Sequence, residues 1–97
     1  MELNNYPLAI HFEKAAENIK SSGKKLSNDE LKPIYGLYKQ ATVGDNNEPE
    51  PSFYQITEKG KWKAWNEHKG KSKDQAKHEY VKEVMKHVND DIKNTYI

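Results

Sequence analysis

An all-α fold, four helices packed on their apolar faces, is predicted by three features of this 97-residue sequence. Apolar residues recur at three- and four-residue spacing through successive stretches. Serine-led capping signals open two of those stretches. No stretch alternates apolar and polar residues as a half-buried strand would. The length suits a single domain over 1–97, since neither half could bury a sizeable core alone.

Leu8, Phe12, Ala15, Ala16 and Ile19 form one stripe of an amphipathic first helix, with Pro7 suited to its first turn and Ser21-Ser22-Gly23 to its end. Ser27-Asn28-Asp29-Glu30 reads as a capping box, in which the hydroxyl and the carboxylate satisfy orphan amides. Leu31, Ile34, Tyr35, Tyr38 and Ala41 carry the second helix to Gly44, a C-capping glycine. Pro33 deletes an amide donor and crowds the preceding turn, so either the regular helix starts near Lys32 or its first turn is distorted. Asp45 to Thr57, with Asn46-Asn47, Pro49 and Pro51, reads as a long loop. Ile56, Lys59, Trp62, Ala64 and Trp65 suggest a short third helix ending by Gly70. Ser72-Lys73-Asp74-Gln75 reads as a second capping box, followed by a stripe of Ala76, Tyr80, Val81, Val84, Val88 and Ile92.

Composition removes several classes. Hydrophobic residues make up 34% and charged residues 32%, and the mean hydropathy is −1.14, so a wet surface covers a thin core. Such a chain can be disordered, but a formal net charge of only +1 and periodic apolar residues favour a folded domain. With no cysteine, disulfides, thiolate metal sites and thiol nucleophiles are absent. The longest aliphatic run is Leu8-Ala9-Ile10, far short of the ~20 residues of a membrane span. No basic-then-apolar leader opens the chain, so a cytoplasmic location is expected. A monomer is the simplest state.

Charge is uneven, and every basic residue is lysine. Residues 1–58 hold 6 lysines and 9 acids, whereas residues 59–86 hold 9 lysines and 4 acids. A basic segment on a near-neutral protein suits a compact anionic ligand better than duplex DNA, which needs a broad basic face. A solvated lysine face is the alternative.

Few motifs suggest chemistry. His78-Glu79 begins like a zinc-protease helix, but Lys82 stands where the second histidine belongs. His11, His68 and His87 have no partner at ligand spacing. Asp45-x-Asn47 begins like a calcium loop, but Pro49 and Glu50 stand where a ligand and the required glycine belong. Nothing brings a nucleophile to a base. The informative cluster is Tyr35, Tyr38 and Lys39, which share one helix face. Phenol rings can stack on a purine and donate to a phosphate while the ammonium supplies charge. Core packing with a snorkelling lysine explains the same spacing. Trp62 and Trp65 suit core anchoring. Tyr80, on the apolar stripe of the last helix, suits core and ligand roles alike.

The stretch Tyr38-Lys39-Gln40-Ala41-Thr42-Val43-Gly44-Asp45 resembles the signature of the acyl-CoA-binding proteins. Phe12-x-x-Ala15-Ala16, Lys61-Trp62-x-Ala64-Trp65-Asn66 and Lys69-Gly70-x-Ser72-Lys73 fall at that family's spacing, and the resemblance covers about residues 10 to 90. It implies a small four-helix bundle that binds, buffers and carries medium- and long-chain fatty acyl-CoA esters without altering them. No catalytic residue, metal, cofactor or nucleic-acid partner is implied. Stable membrane insertion is not expected either, only transient contact with membranes or with enzymes that use the ester. By the same resemblance Tyr35, Lys39 and Lys61 hold the ribose 3′-phosphate, Tyr38 lies near the adenine and acyl group, and Tyr80 adds a nucleotide contact. Lys20 supplies a basic contact from the first helix, and Ala16 is a small residue lining the site.

Two departures matter. Glu50-Pro51-Ser52 stands where the family often has Arg-Pro-Gly, and Lys32 and Pro33 replace residues commonly apolar there. Lys32 lies near the rim where an acyl chain would pass. The rival readings are a helical protein-interaction module without a lipid ligand, a nucleic-acid binder and a thioesterase.

Overall fold

The computed structural model describes residues 8–21 and 25–87. The expected roles of Pro7, Ser22-Gly23, Val88 and Ile92 lie outside them. Four helices follow in order: α1 (Leu8–Ser21), α2 (Asn28–Thr42), α3 (Ile56–Asn66) and α4 (Lys73–Met85), with no strand among the described residues.

The Ser27 box forms in full. Ser27 Oγ accepts from Glu30 N–H at 3.2 Å, and Ser27 N–H donates to Glu30 Oε1 at 2.8 Å. This fixes the start of α2 ahead of Pro33, so the helix neither begins near Lys32 nor breaks. It runs through Pro33, whose missing N–H leaves the carbonyl of solvent-exposed Asp29 without its helical bond. Gly44 then takes φ +100°, a region closed to most side chains, and returns its N–H to the Lys39 carbonyl at 3.3 Å.

The second box is only half made. Ser72 Oγ accepts from Gln75 N–H at 3.0 Å, but the Gln75 amide turns forward to Glu79 Oε2 at 3.1 Å rather than back to the cap. A neutral amide gains more from that carboxylate than from another backbone donor. The third helix stops at Asn66, and turns carry the chain to Gly70, at φ +94°.

Phe12, Ala15, Ile34, Leu37, Ala41, Ala76, Tyr80, Val81 and Val84 form the core, drawn from α1, α2 and α4. All but Leu37 lie on the predicted stripes, whereas Tyr35 and Tyr38 of the α2 stripe stay outside this core. Leu31 and Ile56, also on predicted stripes, are instead exposed, at 44% and 79%.

Side-chain pairings set the helix directions. Tyr38 meets Tyr80, and Glu30 faces His87 at 3.9 Å, so α2 and α4 are antiparallel. Tyr35 meets Lys61, Gly36 meets Ala64 and Lys39 meets Trp65, so α2 and α3 run the same way. Parallel neighbours need a long return connection, and residues 43–55 provide it. At Gly36 the two backbones nearly touch, and a Cβ built there would lie 2.2 Å from the Ala64 carbonyl oxygen. Only glycine permits that approach.

The return connection is stapled to α3. Trp65 Nε1 donates to the Gly44 carbonyl and Trp62 Nε1 to the Glu48 carbonyl, both at 2.7 Å. Asn46, 3% exposed, donates to the Trp62 carbonyl at 3.2 Å and accepts from Glu48 N–H at 2.9 Å. Trp65 is therefore the core anchor the sequence suggests, while half-buried Trp62 is chiefly a staple for the loop.

Asp45 ties two turns together. Its Oδ1 accepts from Gly70 N–H at 2.8 Å and from Gln40 Nε2 at 2.9 Å, while the same Gln40 amide reaches the Lys71 carbonyl at 2.8 Å. The Gly70 amide, then the Gln40 amide, hold the Asp45 carboxyl below its ordinary range. A lowered carboxylate contributes stability that is present above the unfolded value and lost as pH falls through the folded one. Thermal midpoints measured through the acid range should therefore fall less steeply for Asp45→Asn than for the parent. Superimposable acid limbs would remove Asp45 from this role.

Candidate functional site

The parallel pair α2–α3 leaves an open cleft of about 810 Å³, closed on its far side by α1 and α4. The floor is aromatic. Tyr38 and Tyr80 line it with centroids 5.7 Å apart, and behind them Phe12 stacks on Tyr38 at 5.6 Å and packs against Tyr80 at 5.0 Å. Tyr38 is 41% exposed, so its ring is open to the cleft, while Tyr80 is 3% exposed. Burial, with Tyr38 adding to it, pushes the Tyr80 phenol up to about 12. Burial and the nearby Glu48 carboxylate also raise the Tyr35 phenol. Both hydroxyls stay protonated donors at neutral pH.

Charge lines the rim. Lys20, Lys32, Lys59, Lys61 and Lys63 border the cleft, and no carboxylate does so among the described residues. Lys32 leans to Asp29 at 3.8 Å and Lys59 to Glu50 at 3.2 Å. Lys20, Lys61 and Lys63 make no ion pair among the described residues, and the Lys61 ammonium rests over the Tyr35 ring at 5.6 Å. Such ammonium groups, held near low-dielectric walls, attract an anion more strongly than solvated ones. Leu31, Phe53 and Ile56, at 44%, 82% and 79% exposure, supply an apolar wall beside the charges.

Six of the seven residues singled out in the sequence border this cleft: Ala16, Lys20, Tyr35, Tyr38, Lys61 and Tyr80. Lys39 is set apart. It lies one turn beyond Tyr35 on α2, but its ammonium sits over the Trp65 ring at 4.7 Å. Lys59, Lys63, Phe53 and Ile56 border the cleft without having been singled out. For the three on α3 the signal is the spacing Ile56-x-x-Lys59-x-x-x-Lys63, which puts an apolar residue and two lysines on one face, whereas no local pattern marks Phe53.

The other motifs resolve into scaffolding. Glu79, in the incomplete zinc pattern, pairs with Lys71 at 2.5 Å, and Lys71 also meets His68 Nδ1 at 3.0 Å. That hydrogen bond holds the Glu79 carboxyl low, while burial lowers His68. Asp45, in the incomplete calcium pattern, is the turn-tying acceptor above. Among the described residues no group of three or more His, Asp or Glu could hold a metal ion.

The sequence and the helical fold of the described residues match known proteins. A family model described as "Acyl CoA binding protein" matches residues 9–84. An acyl-CoA-binding protein of Dictyostelium discoideum is 54% identical over 70 residues, covering 72% of this chain and 83% of that protein. An acyl-CoA-binding protein homolog of Drosophila melanogaster is 47% identical over 70 residues, covering 72% and 81%. The crystal structure of Oryza sativa acyl-CoA-binding protein 2 superimposes with a TM-score of 0.77 at 38% identity, covering 81% of this chain and 86% of that one. The chain belongs to the acyl-CoA-binding protein family.

Proposed function

We propose that this chain binds fatty acyl-CoA esters in the α2–α3 cleft, holds them in soluble form in the cytoplasm and passes them on chemically unchanged. The reading is carried by one arrangement: the ammonium groups of Lys20, Lys61 and Lys63, which make no ion pair among the described residues, and protonated tyrosines meet an apolar wall in a single cleft. The ligand has the same two halves, a polyanionic head and a tail that water rejects. Tyr35 and Lys61 stand together at one place on the rim, with Lys39 a turn further along α2. They are the groups assigned to the ribose phosphate, Tyr38 to the adenine and the acyl group, Tyr80 to a further nucleotide contact, and Lys20 to further negative charge. Ala16 leaves room beside them.

Sheltering about a dozen methylenes gains roughly 10 kcal/mol before costs, at ~0.8 kcal/mol each. Association costs a similar amount, ~4–15 kcal/mol, so the head contacts decide whether the complex is tight. Charged hydrogen bonds contribute about 1.5–3 kcal/mol each when well placed. Nothing in this role needs a nucleophile, a base or a cofactor.

Calorimetric titration with CoA, a free fatty acid and acyl-CoAs of increasing length tests the reading. Affinity should rise with chain length, fall with added salt and be weak for the free acid, and no thiol should be released. A free acid that binds as well as its CoA ester would sink the head-group assignment. Trp65 fluorescence gives a second readout, because a phosphate drawing Lys39 off its ring changes the ring's surroundings.

A further inference from the structure

Two of the rim lysines have acidic partners among the described residues, and the two pairs differ in kind. Lys32 leans to Asp29 within its own helix, with both side chains more than half exposed. Lys59 takes its partner from the return connection: Glu50 lies 3.2 Å away, and the two side chains are 29% and 45% exposed. Glu50 stands between Pro49 and Pro51. A proline fixes its own φ, restricts the residue before it to extended conformations and has no N–H to give. The carboxylate is therefore presented from a stiff backbone that makes few hydrogen bonds of its own.

This pair joins the two kinds of surface in the cleft. On the charged side, Lys59 and Lys63 lie one turn apart on α3 and both border the cleft. Like charges at that spacing repel, and Glu50 relieves the repulsion at Lys59. A ligand phosphate settling between the two ammonium groups has to take Lys59 from Glu50. On the apolar side, the pair closes residues 50–59 into a loop that carries Phe53 and Ile56 of the apolar wall. Apart from the bonds of α3, the hydrogen bonds within that loop among the described residues run between Ser52 and Gln55.

We propose that Glu50 is a specificity-determining residue, an internal counter-anion that keeps Lys59 from ligand phosphates and holds Phe53 at the cleft, so that the site favours the ligand's tail over its head. The inference rests on the acyl-CoA reading above. Glu50 touches no ligand in this scheme and acts through Lys59. Without it, a further positive charge faces the head, and the Phe53 part of the apolar wall is loosely held. Head affinity then rises while the gain from each added methylene shrinks.

The test is calorimetry at low salt with CoA, a medium-chain and a long-chain acyl-CoA, on the full chain and on its Glu50→Gln, Lys59→Gln and doubly substituted variants. Glu50→Gln should bind CoA about two- to fivefold more tightly, the effect expected of a partly exposed ion pair. It should also lower the ratio of long-chain acyl-CoA to CoA affinity at least about twofold, since apolar contact with Phe53 is lost. The gain for CoA should vanish in the Lys59→Gln background and fade as salt is added. Unchanged or weaker CoA binding by Glu50→Gln overturns the proposal. A gain that survives in the Lys59→Gln background makes Glu50 a long-range charge only and also overturns it. An unchanged ratio overturns the part assigned to Phe53. A Glu50→Gln chain that fails to fold makes the pair a requirement of the fold and overturns its role in selectivity. A parent protein that binds neither CoA nor its esters overturns the acyl-CoA reading and this inference with it, whereas binding that all three variants leave unaltered overturns this inference alone.

Discussion

Gly36→Ala is expected to destabilise the bundle by about 3 kcal/mol or more, or to prevent folding, at the upper end of what overpacking costs. The added methyl group would lie 2.2 Å from the Ala64 carbonyl oxygen and 2.7 Å from its carbon. These are backbone atoms, so no side chain can rotate away, and α2 and α3 must separate. Separation would strain the loop staples, including the Trp65–Gly44 bond, and reshape the cleft between the two helices. In a domain this small, each kcal/mol moves the midpoint about 4–8 °C, so thermal unfolding followed by circular dichroism should show a fall of at least ~12 °C. Gly60→Ala is the control, because a Cβ there meets nothing within 4 Å, and alanine favours a helix interior over glycine. A Gly36→Ala midpoint within a few degrees of the parent would mean that the close approach is not required.

Lys61→Ala should weaken CoA and long-chain acyl-CoA by similar factors, about tenfold to a hundredfold. This follows from losing a charged hydrogen bond of ~1.5–3 kcal/mol. Lys61 makes no ion pair among the described residues and lies over Tyr35, so its removal strands no acidic partner and should leave the thermal midpoint nearly unchanged. Lys39→Ala should likewise cost both ligands equally, but with some loss of stability from its contact over Trp65. Parallel calorimetry at fixed salt separates the outcomes. A loss confined to long acyl chains would place Lys61 against the tail and contradict its assignment to the head.

Much of the fold can be read from the sequence because its determinants are local. The α1 and α4 stripes, the Ser27 box and the Gly44 cap depend on residues within a turn of one another, and each appears where the spacing puts it. Pro33 was ambiguous because its penalty depends on where the helix begins, which the neighbouring cap decides. The Gln75 amide bonds Glu79 rather than the cap, because the carboxylate one turn ahead is the stronger partner, a competition that the capping-box spacing alone does not show.

The candidate site is legible in a different way. Tyr35 and Tyr38 share a helix face by spacing alone, but their meeting with Lys61 depends on α2 and α3 running parallel, which no local pattern encodes. The signature stretch also carries more architecture than recognition. Gln40, Gly44 and Asp45 bind the turns together, and of its eight residues only Tyr38 borders the cleft. Exposed Phe53 and Ile56 passed for ordinary loop and helix residues because exposure is a tertiary property.

The stapled connection has a consequence for protein engineering. Its first half, to Glu48, is fastened to α3 through both tryptophans, whereas from Pro49 to Gln55 it is held by the Glu50–Lys59 pair and by local bonds between Ser52 and Gln55. Sequence drift, grafted peptides and fluorescent tags should be accommodated in that second half and rejected in the first. Glu50-Pro51-Ser52 falls in the permissive half, so substitutions there should leave the helices behind it undisturbed.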